Sequence, residues 1–212
     1  MEDIILLGIG GHAHSVVDSI EQSGRYRIVG FLDVKENRDK EYKGYHVIGT
    51  DDMLENYYLK GIKNAFITVG YLGEGSIRNK LYKEIKRIGY TVPNIIDRTA
   101  ILADDIRLGE GNFVGKRAVI NANSKIGTMC IINTGAIVEH DCCIGDMTHI
   151  AVGTILCGHV TVGNNTLIGA NAVVRQGINI GTHVIIGAGM TITKDIKSNT
   201  KKYGDIEQYF EG

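Results

Sequence analysis

The chain has 212 residues, of which 43% are hydrophobic and 22% charged, and its formal net charge is -1. Because a domain usually takes about 100 to 200 residues, this length predicts one large domain or two small ones. The near-neutral charge gives no reason to expect a nucleic-acid partner, no apolar run is long enough to span a bilayer, and the acidic residues after Met1 are unlike a secretory leader, so we expect a cytoplasmic protein without a membrane anchor.

Residues 1–97 alternate apolar runs with amphipathic segments. Because a continuous apolar run is typical of a strand buried on both faces, we predict parallel strands at Ile4–Leu7, Ile28–Leu32 and Ala65–Val69. The βαβαβα order predicts a small parallel sheet with helices on its faces. The remaining predicted elements are a helix through Val16 to Ile20, helices over 51–59 and 77–88, and a short edge strand at Val92–Ile96 that is interrupted by Pro93.

The turn after the first strand is rich in glycine. Gly8–Ala13 reads GIGGHA, which fits the G-x-G-x-x-G/A pattern of a phosphate-binding turn between a strand and a helix. NAD would fit this motif, and Asp33, at the end of the second strand, could then bind a ribose of NAD. A dinucleotide domain needs two mononucleotide halves, however, and the 97 residues before the repeats supply one. We therefore expect this turn to bind a nucleotide sugar and not NAD.

From Ala100 the sequence repeats with a period of six residues. Sixteen hexads extend to Asp195, and the third residue of each is Leu, Ile or Val, while the first is mostly small. Residues two apart on a strand point to the same side, so both positions should face an interior. Unbroken short repeats of this kind predict a parallel β-helix.

Glycine follows the aliphatic residue in eight hexads, and we assign these glycines to corners where the chain needs conformational freedom to turn. They are Gly109, Gly115, Gly127, Gly145, Gly163, Gly169, Gly181 and Gly187. This pattern closely resembles the left-handed β-helix of the hexapeptide acyltransferases, in which three hexads make one triangular coil. The resemblance implies a left-handed helix, whereas general crossover rules favour the right hand, and it implies that residues eighteen apart stack. The expected fold is an α/β half-Rossmann domain at residues 1–97 followed by a left-handed parallel β-helix with a C-terminal tail at residues 98–212.

The richest polar segment of the helix surrounds His140, which stands between Glu139 and Asp141. A histidine, with an unperturbed pKa of about 6.5, is largely neutral at cytosolic pH and suits a general base. An adjacent carboxylate can fix its tautomer and stabilise the imidazolium that forms. The sequence leaves open which of the two acids turns toward the ring, and a solvated corner histidine is the alternative.

The string VEHDCCIGDMTHIAVG around His140 closely resembles the active-site stretch of the bacterial sugar acetyltransferases. This family includes the UDP-amino-sugar N-acetyltransferase of bacillosamine synthesis and the sialic acid O-acetyltransferases. The resemblance implies that His140 is the catalytic base, that Asp141 pairs with it, and that Asn133 and His149 lie in the acetyl-CoA site. It also implies that the backbone N–H of Gly158, eighteen residues beyond His140, is the oxyanion donor.

The resemblance extends to the N-terminal half, where the family binds its nucleotide sugar. The stretch YLGEGS that follows Gly70 is longer here than in some members. The implied substrate-binding residues are Gly10, Gly11, His12, Asp33, Gly70 and Arg78.

A cysteine nucleophile is an alternative to direct transfer, because Cys142 and Cys143 lie close to His140. Cys142 occupies an inward hexad position, and neither thiol has an activating cation beside it in the sequence. These features favour direct transfer without an acyl-enzyme.

A zinc site is a remote alternative, since the γ-class carbonic anhydrases share this β-helix. His140, His149 and His159 are spaced by nine and ten residues, without the H-x-x-x-x-H pattern. His159 also lies eighteen residues beyond Asp141 and thirty-six beyond Asn123, as expected for a polar ladder. We therefore expect no metal.

The function that these features favour is acetyl transfer from acetyl-CoA to the amino group of a nucleotide-linked amino sugar by a homotrimer. O-acetylation of sialic acid or of another sugar hydroxyl stays open, because nothing around His140 distinguishes the two. Family members often end in a G-x-P-A-K tail, whereas this chain ends KSNTKKYGDIEQYFEG. The candidate phosphate partners for acetyl-CoA are Lys194, Lys197, Lys201 and Lys202, unless they form only a solvated basic tail.

Overall fold

The computed structural model describes residues 1–71, 73, 75–204 and 206–209. The chain divides into two compact units, one formed by Met1–Gly70 with Ser76–Arg98 and the other by Tyr71–Gly75 with the chain from Thr99 onward. No helix of the described residues is long and apolar enough to cross a membrane. Two residues of the YLGEGS stretch, Leu72 and Glu74, and the tail residues 205 and 210–212 lie outside the described part.

The first unit is built on a five-stranded sheet in the order β3-β4-β2-β1-β5. Strand β1 pairs in parallel with β2 and β5, β4 pairs in parallel with β2, and β3 forms an antiparallel hairpin with β4. The elements are β1 (Glu2–Leu7), α1 (Gly11–Ser23), β2 (Tyr26–Leu32), β3 (Glu41–Tyr42), β4 (Tyr45–Gly49), α2 (Leu54–Leu59), β5 (Asn64–Ile67), α3 (Ser76–Ile88) and β6 (Ile95–Ile96).

The predicted helices and the three central strands of this unit are confirmed, except that the strand predicted to reach Val69 ends at Ile67 and that residues 51–53 form a 3-10 turn before α2. Two further differences concern the other strands. The hairpin β3–β4 was not predicted; its two-residue turn, Lys43-Gly44, has φ values of 52° and 79°. Two successive positive φ values produce the turn that matches the twist of a two-stranded ribbon. The predicted edge strand at Val92–Ile96 is wrong for this sheet, because the sheet ends at β5; only Ile95–Ile96 forms a strand, β6, and it is not one of the five.

The core of the first unit lies on both sides of β1. Ile4–Leu7 is fully buried, as are Phe31, Leu32 and the apolar residues of β5. Helix α1 packs one face, with Ala13, Val16, Val17 and Ile20 buried. Coverage of both faces is the reason that these strands read as unbroken apolar runs.

The second unit is a left-handed parallel β-helix of triangular cross-section. Strands eighteen residues apart pair in parallel, as in Ile131↔His149 and Ile132↔Ile150. Its short strands are β7 (Ile101–Leu102), β8 (Arg107–Leu108), β9 (Phe113–Val114), β10 (Val119–Ile120), β11 (Lys125–Ile126), β12 (Ile131–Ile132), β13 (Ile137–Val138), β14 (Cys143–Ile144), β15 (His149–Ile150), β16 (Ile155–Leu156), β17 (Thr161–Val162), β18 (Leu167–Ile168), β19 (Val173–Val174), β20 (Asn179–Ile180), β21 (Ile185–Ile186) and β22 (Thr191–Ile192).

These strands form the three faces of the prism. The first face contains β7, β10, β13, β16, β19 and β22, and the second contains β8, β11, β14, β17 and β20. The third face contains β9, β12, β15, β18 and β21, and it continues into β23 (Thr200–Tyr203) and β24 (Ile206–Tyr209).

The inward positions are as predicted. The third residue of every hexad from Val114 to Ile192 is buried. Small residues at the first position, such as Ala118, Cys130 and Ala172, are buried as well. Leu102 and Leu108 are only half-buried because their strands end the first and second faces.

The conformational role assigned to the eight hexad glycines is wrong. None of them has a positive φ; the left-handed residue is the sixth of each hexad, from Gly111 to Gly189. A methyl group on Gly109 would lie 2.6 Å from the carbonyl oxygen of Gly127, and one on Gly163 would lie 2.6 Å from the carbonyl carbon of Gly181. These glycines are needed because successive coils approach each other closely at the corners.

Candidate active site

His140 lies on the corner between β13 and β14, where the first and second faces of the prism meet. It is the fifth residue of its hexad, and the following residue, Asp141, has a φ of 59°. Asparagine and aspartate adopt this left-handed conformation more readily than most residues. The corner holds the imidazole at the surface with about half of the side chain exposed, 49%.

The imidazole is paired with the carboxylate that follows it. His140 Nδ1 lies 2.7 Å from Asp141 Oδ2. Because an ionised carboxylate only accepts hydrogen bonds, Nδ1 carries the proton and Nε2 of the neutral ring keeps its lone pair. The geometry leaves Nε2 able to take a proton from another group.

Asp141 is held in turn by its neighbours along the corner. Its Oδ1 accepts a hydrogen bond from Asn123 Nδ2 at 2.6 Å, one coil earlier. Its Oδ2 lies 3.6 Å from His159 Nε2, one coil later. The hydrogen bonds from the ring N–H of His140 and, next, from the amide of Asn123 lower the pKa of the Asp141 carboxyl below its ordinary value, so the carboxylate stays ionised.

Glu139 contacts the main chain of His140. Its Oε2 accepts a hydrogen bond from the backbone N–H of His140 at 3.3 Å, at the start of the corner. Of the two acids that flank His140, Asp141 is therefore the one that contacts the imidazole.

Gly158 stacks directly on His140, one coil later. A methyl group there would lie 2.6 Å from both Cε1 and Nε2 of the ring, so no residue with a Cβ fits while His140 keeps this position. Among the described residues, none accepts a hydrogen bond from the Gly158 N–H. A backbone donor is thus available beside Nε2.

Asn133 and His149 lie elsewhere on the coil. His149 starts β15 on the third face, nine residues and hence half a coil from His140, and Asn133 lies on the corner between the third and first faces. His149 Nδ1–H donates to the carbonyl oxygen of Tyr71 at 2.8 Å, and Asn133 Nδ2 donates to His149 Nε2 at 3.1 Å. The structure therefore brings His140, Asp141 and Gly158 together. Within one chain, Asn133 and His149 lie apart from that group.

The cysteines next to His140 are poorly suited to nucleophilic attack. Cys142 is fully buried, and this burial raises the pKa of its thiol to about 11. Only a small fraction would be thiolate at neutral pH. Cys143 is half-buried on the second face, and both thiols are free.

The three histidines of the zinc alternative do not converge. Both ring nitrogens of His149 are bonded on the other side of the coil. His140, Asp141 and His159 are the group of the described residues whose ligand atoms lie close enough for a metal ion, within 4.8 Å of one another. The expected polar ladder of Asn123, Asp141 and His159 is present.

The glycine turn of the first unit has an open approach. A methyl group on Gly10 or Gly11 would meet no atom within 4 Å, and helix α1 begins at Gly11 without a side-chain cap. Uncapped N–H groups at a helix start favour an anionic ligand. Gly8 differs, because its φ is 103° and a methyl group would lie 2.7 Å from Val69 Cγ2. His12 adjoins Gly70, whose added methyl group would lie 3.7 Å from His12 Cβ.

Two implied substrate residues of this unit are engaged in holding its turns. Asp33 Oδ2 accepts the N–H of Ile9 at 2.6 Å, and its Oδ1 accepts Asn37 Nδ2 at 2.9 Å. The guanidinium of Arg78, only 2% exposed, donates to the carbonyl oxygen of Ile67, the last residue of β5, and to that of Val69 in the following turn. Asp33 therefore fixes the glycine turn, and Arg78 fixes the turn that contains Gly70.

Two of the cavities among the described residues bear on ligand binding, and neither was predicted from the sequence. One of about 660 Å³ opens at the carboxyl ends of β2 and β4, and its lining includes Val34, Lys35, Arg38 and Val47. Ligands of parallel α/β sheets bind at this edge. The other, of about 290 Å³, lies on the last coil, and its lining includes Lys194, Lys197, Lys202 and Asp195.

Sequence reasoning also missed Tyr71 as a partner of His149. Its contact is made by a main-chain oxygen, and its hydroxyl donates to the carbonyl oxygen of Asn165 at 2.5 Å. No side-chain pattern signals a main-chain acceptor seventy-eight residues away. The period of eighteen, by contrast, was sufficient to find Asn123 and His159.

Known proteins match both units. The family model described as the PglD N-terminal domain matches residues 3–85, and the hexapeptide repeat of succinyl-transferase matches residues 159–194. A mutant of perosamine N-acetyltransferase from Caulobacter crescentus, solved with CoA and GDP-perosamine, has a TM-score of 0.91 and 30% identity over 100% of this chain and 98% of that chain. PerB from Caulobacter crescentus, solved with the same two ligands, has a TM-score of 0.90 and 31% identity over 98% and 97%.

A third relative is the acetyltransferase domain of PglB from Neisseria gonorrhoeae FA1090, solved with acetyl coenzyme A. It has a TM-score of 0.87 and 27% identity over 99% of each chain. A search of curated protein sequences returned no match. Because both units and nearly the whole length are shared with relatives that are 30–31% identical, the chain belongs to the hexapeptide-repeat sugar acetyltransferase family.

Proposed function

We propose that the chain transfers the acetyl group of acetyl-CoA to the amino group of a nucleotide-linked sugar, with His140 as the general base. The observation that carries this proposal is the ring of His140, which is bonded through Nδ1 to Asp141 and keeps Nε2 beside the N–H of Gly158, from which no described residue accepts a hydrogen bond. The Caulobacter and Neisseria relatives, solved with CoA and GDP-perosamine or with acetyl coenzyme A, support both substrates.

The proposed reaction is a direct transfer. The amine attacks the acetyl carbonyl carbon, and His140 Nε2 takes the proton that the nitrogen loses. The carbon–sulfur bond then breaks to release the CoA thiolate, which takes that proton from the His140 imidazolium and so restores the base. Gly158 N–H donates to the oxygen that becomes negative in the tetrahedral intermediate, an effect of about 3 to 4 kcal/mol in enzymes where such a donor was removed. Asp141 stabilises the imidazolium, as carboxylates do in related dyads. The raised pKa of the Cys142 thiol speaks against an acyl-enzyme at that residue.

The nucleotide part is assigned to the first unit. Gly10, Gly11 and His12 form the open turn at the start of α1, which suits a diphosphate. The lining of the 660 Å³ cavity at the adjoining edge of the sheet combines apolar residues such as Val34 and Val47 with the cations of Lys35 and Arg38, which suits a base with a nearby phosphate. Asp33 and Arg78 contribute by fixing the two turns.

An acetyl-transfer screen tests this function. Acetyl-CoA is incubated with UDP-, GDP- and dTDP-linked amino sugars and with sialic acid, and released CoA is measured. We expect turnover with at least one nucleotide amino sugar and little with sialic acid. Transfer to sialic acid alone would refute the assignment of the acceptor.

A variant of the glycine turn serves as the matched control for this screen. Gly10→Val should fold normally, since the space around Gly10 is empty, yet its side chain would occupy the place of the diphosphate. Calorimetry should show loss of nucleotide-sugar binding with CoA binding unchanged. Micromolar binding of NAD that Gly10→Val abolishes, with no response to any nucleotide sugar, would contradict the proposal.

Acetyl-CoA is assigned to the β-helix, with Asn133 and His149 beside the acetyl end. The phosphates are assigned to the lysines of the last coil, where Lys194, Lys197 and Lys202 line a 290 Å³ cavity. Both acetyl-CoA and nucleotide sugars are cytosolic metabolites, so we place the activity in the cytoplasm.

We further infer a homotrimer from the outward residues of the first face. Ile101, Val119, Ile137, Ile155 and Val173 form an aliphatic row that is exposed or half-exposed. The second face shows the contrast, because its outward residues are mostly polar: Arg107, Lys125, Cys143, Thr161 and Asn179. A contiguous apolar surface of this kind marks an interface.

A cyclic arrangement would also complete the site. If three prisms pack through their first faces, one edge of that face meets the opposite edge of the next copy. The corner of His140 then approaches the corner of Asn133 and the adjoining His149 of a neighbour. A ring therefore joins in one cleft the two groups that lie half a coil apart in a single chain.

Ile155→Arg should break this assembly. A charge in the middle of the aliphatic row cannot be buried without a partner, so we expect monomers in sedimentation and a loss of turnover of at least about 100-fold. Thr161→Arg, at the equivalent strand position on the second face, is the control and should stay trimeric and active. A stable wild-type monomer that still transfers acetyl groups would exclude the trimer.

A further inference from the structure

His159 has no role in the reaction as described so far, yet it contacts both members of the proposed dyad. Its Nε2 lies 3.6 Å from Asp141 Oδ2, on the side opposite to Asn123. Its ring meets that of His140 edge to face, with centroids 5.2 Å apart and an interplanar angle of 89°. The His159 side chain is 57% exposed, so hydrophobic burial does not explain why it lies against the dyad.

The corner presents these side chains in register. Asn123, Asp141 and His159 are the sixth residues of their hexads, with φ values of 56°, 59° and 60°. Each lies one coil above the last, and the shared left-handed backbone directs all three side chains along the same line. The dyad is thus part of a column and not an isolated pair.

A base on an exposed corner needs such support. The His140 ring can turn about two bonds, and its hydrogen bond to Asp141 orients it only if the carboxylate is itself fixed. Asn123 Nδ2 holds Oδ1 at 2.6 Å, while Oδ2 lies 2.7 Å from Nδ1 of His140 and 3.6 Å from Nε2 of His159. An error of about 1 Å in the position of a catalytic group can cost about 100-fold in rate.

We propose that His159 is a positioning residue: it fixes the carboxylate of Asp141 and the ring plane of His140, so that Nε2 is directed toward the amine beside Gly158. It does not touch the substrate. This inference rests on the proposed function, because the position matters only if His140 is the base.

The informative substitution is His159→Gly. Glycine is the residue at the same hexad position of the next coil, Gly177, where φ is 73°, so the change adds no backbone strain. We expect kcat to fall about tenfold, while the KM values for acetyl-CoA and amino sugar and the melting temperature change little. His159→Asn keeps a donor in a side chain that tolerates this backbone, and it should recover most of the rate.

His183→Gly is the matched control. His183 occupies the sixth position of a hexad on another corner, with a φ of 57°, and it is exposed. This variant should have wild-type kcat. An unchanged kcat in His159→Gly, or an equal loss in both variants, would overturn the proposal.

A double-mutant cycle separates positioning from direct contact. In an Asp141→Asn background, His159→Gly should cause no further loss, because its effect passes through that carboxylate. Additive losses would overturn the positioning role, and so would a change confined to KM.

Nitrogen NMR of the imidazole tests the proposal without any substrate. The wild-type His140 ring should show one tautomer, with the proton on Nδ1, and His159→Gly should show a mixture. An unchanged His140 spectrum would overturn the inference about His159, whereas a failed acetyl-transfer screen would overturn the proposed function and leave this measurement intact.

Discussion

Replacement of His140 by alanine is expected to lower kcat by about two to four orders of magnitude, the contribution typical of a general base. The fold should persist, because the side chain is about half exposed, 49%, and packs no core. The KM for acetyl-CoA should be nearly unchanged, since the lost interaction forms only as the proton moves. Steady-state kinetics, thermal melting and CoA calorimetry measure the three quantities.

Two cysteine variants are the controls for this result. Cys142→Ala and Cys143→Ala should both keep most of the wild-type kcat, because direct transfer uses neither thiol. Near-normal turnover in a well-folded His140→Ala protein would reject the role of the base. A burst of one CoA per chain before any acceptor is added would instead indicate an acyl-enzyme.

The second large effect is expected from Gly158→Ala, which adds one methyl group. That group would lie 2.6 Å from Cε1 and Nε2 of His140, closer than carbon atoms approach, so the ring must move away. The backbone N–H is retained, and the φ of Gly158 is not positive, so strain of the main chain is not the cause. We expect kcat to fall by at least about 100-fold through displacement of the base.

The equivalent corner position one coil later supplies the comparison. Gln176→Ala changes an exposed residue there and should leave kcat unaltered. In a His140→Ala background the clash disappears, so Gly158→Ala should then cost little more. Fully additive losses would show that the methyl group acts on the substrate and not through the ring of His140.

The hexad period determined most of the second unit from sequence alone. The β-helix is a one-dimensional repeat in which each coil contacts only its neighbours, so local spacing already states which residues stack. The third residues of the hexads from Val114 to Ile192 face inward as predicted. The column of Asn123, Asp141 and His159 follows from the period of eighteen. The buried strands of the first unit could also be predicted, because a sheet covered on both faces has unbroken apolar runs as strands. The glycine turn was predicted from its motif.

The hairpin β3–β4 and the role of the hexad glycines depended on the tertiary structure. The hairpin turn, Lys43-Gly44, carries only a weak composition signal, while its two positive φ values are visible only in the structure. The glycines after the aliphatic residues were correctly tied to corners, but for the wrong reason. The distance between coils, not the φ of the glycine, excludes a side chain there, as at Gly109.

The tertiary structure also decided how the residues of the candidate site are used. Glu139 and Asp141 are equally close to His140 in sequence, and the left-handed φ of 59° turns Asp141 toward the ring while Glu139 bonds the main chain. Asp33 and Arg78 form hydrogen bonds to main-chain groups in turns of the first unit, and no sequence pattern predicts these bonds. Sequence spacing fixes what stacks along a coil, but the direction of each side chain depends on backbone dihedrals and on partners that are distant in the chain.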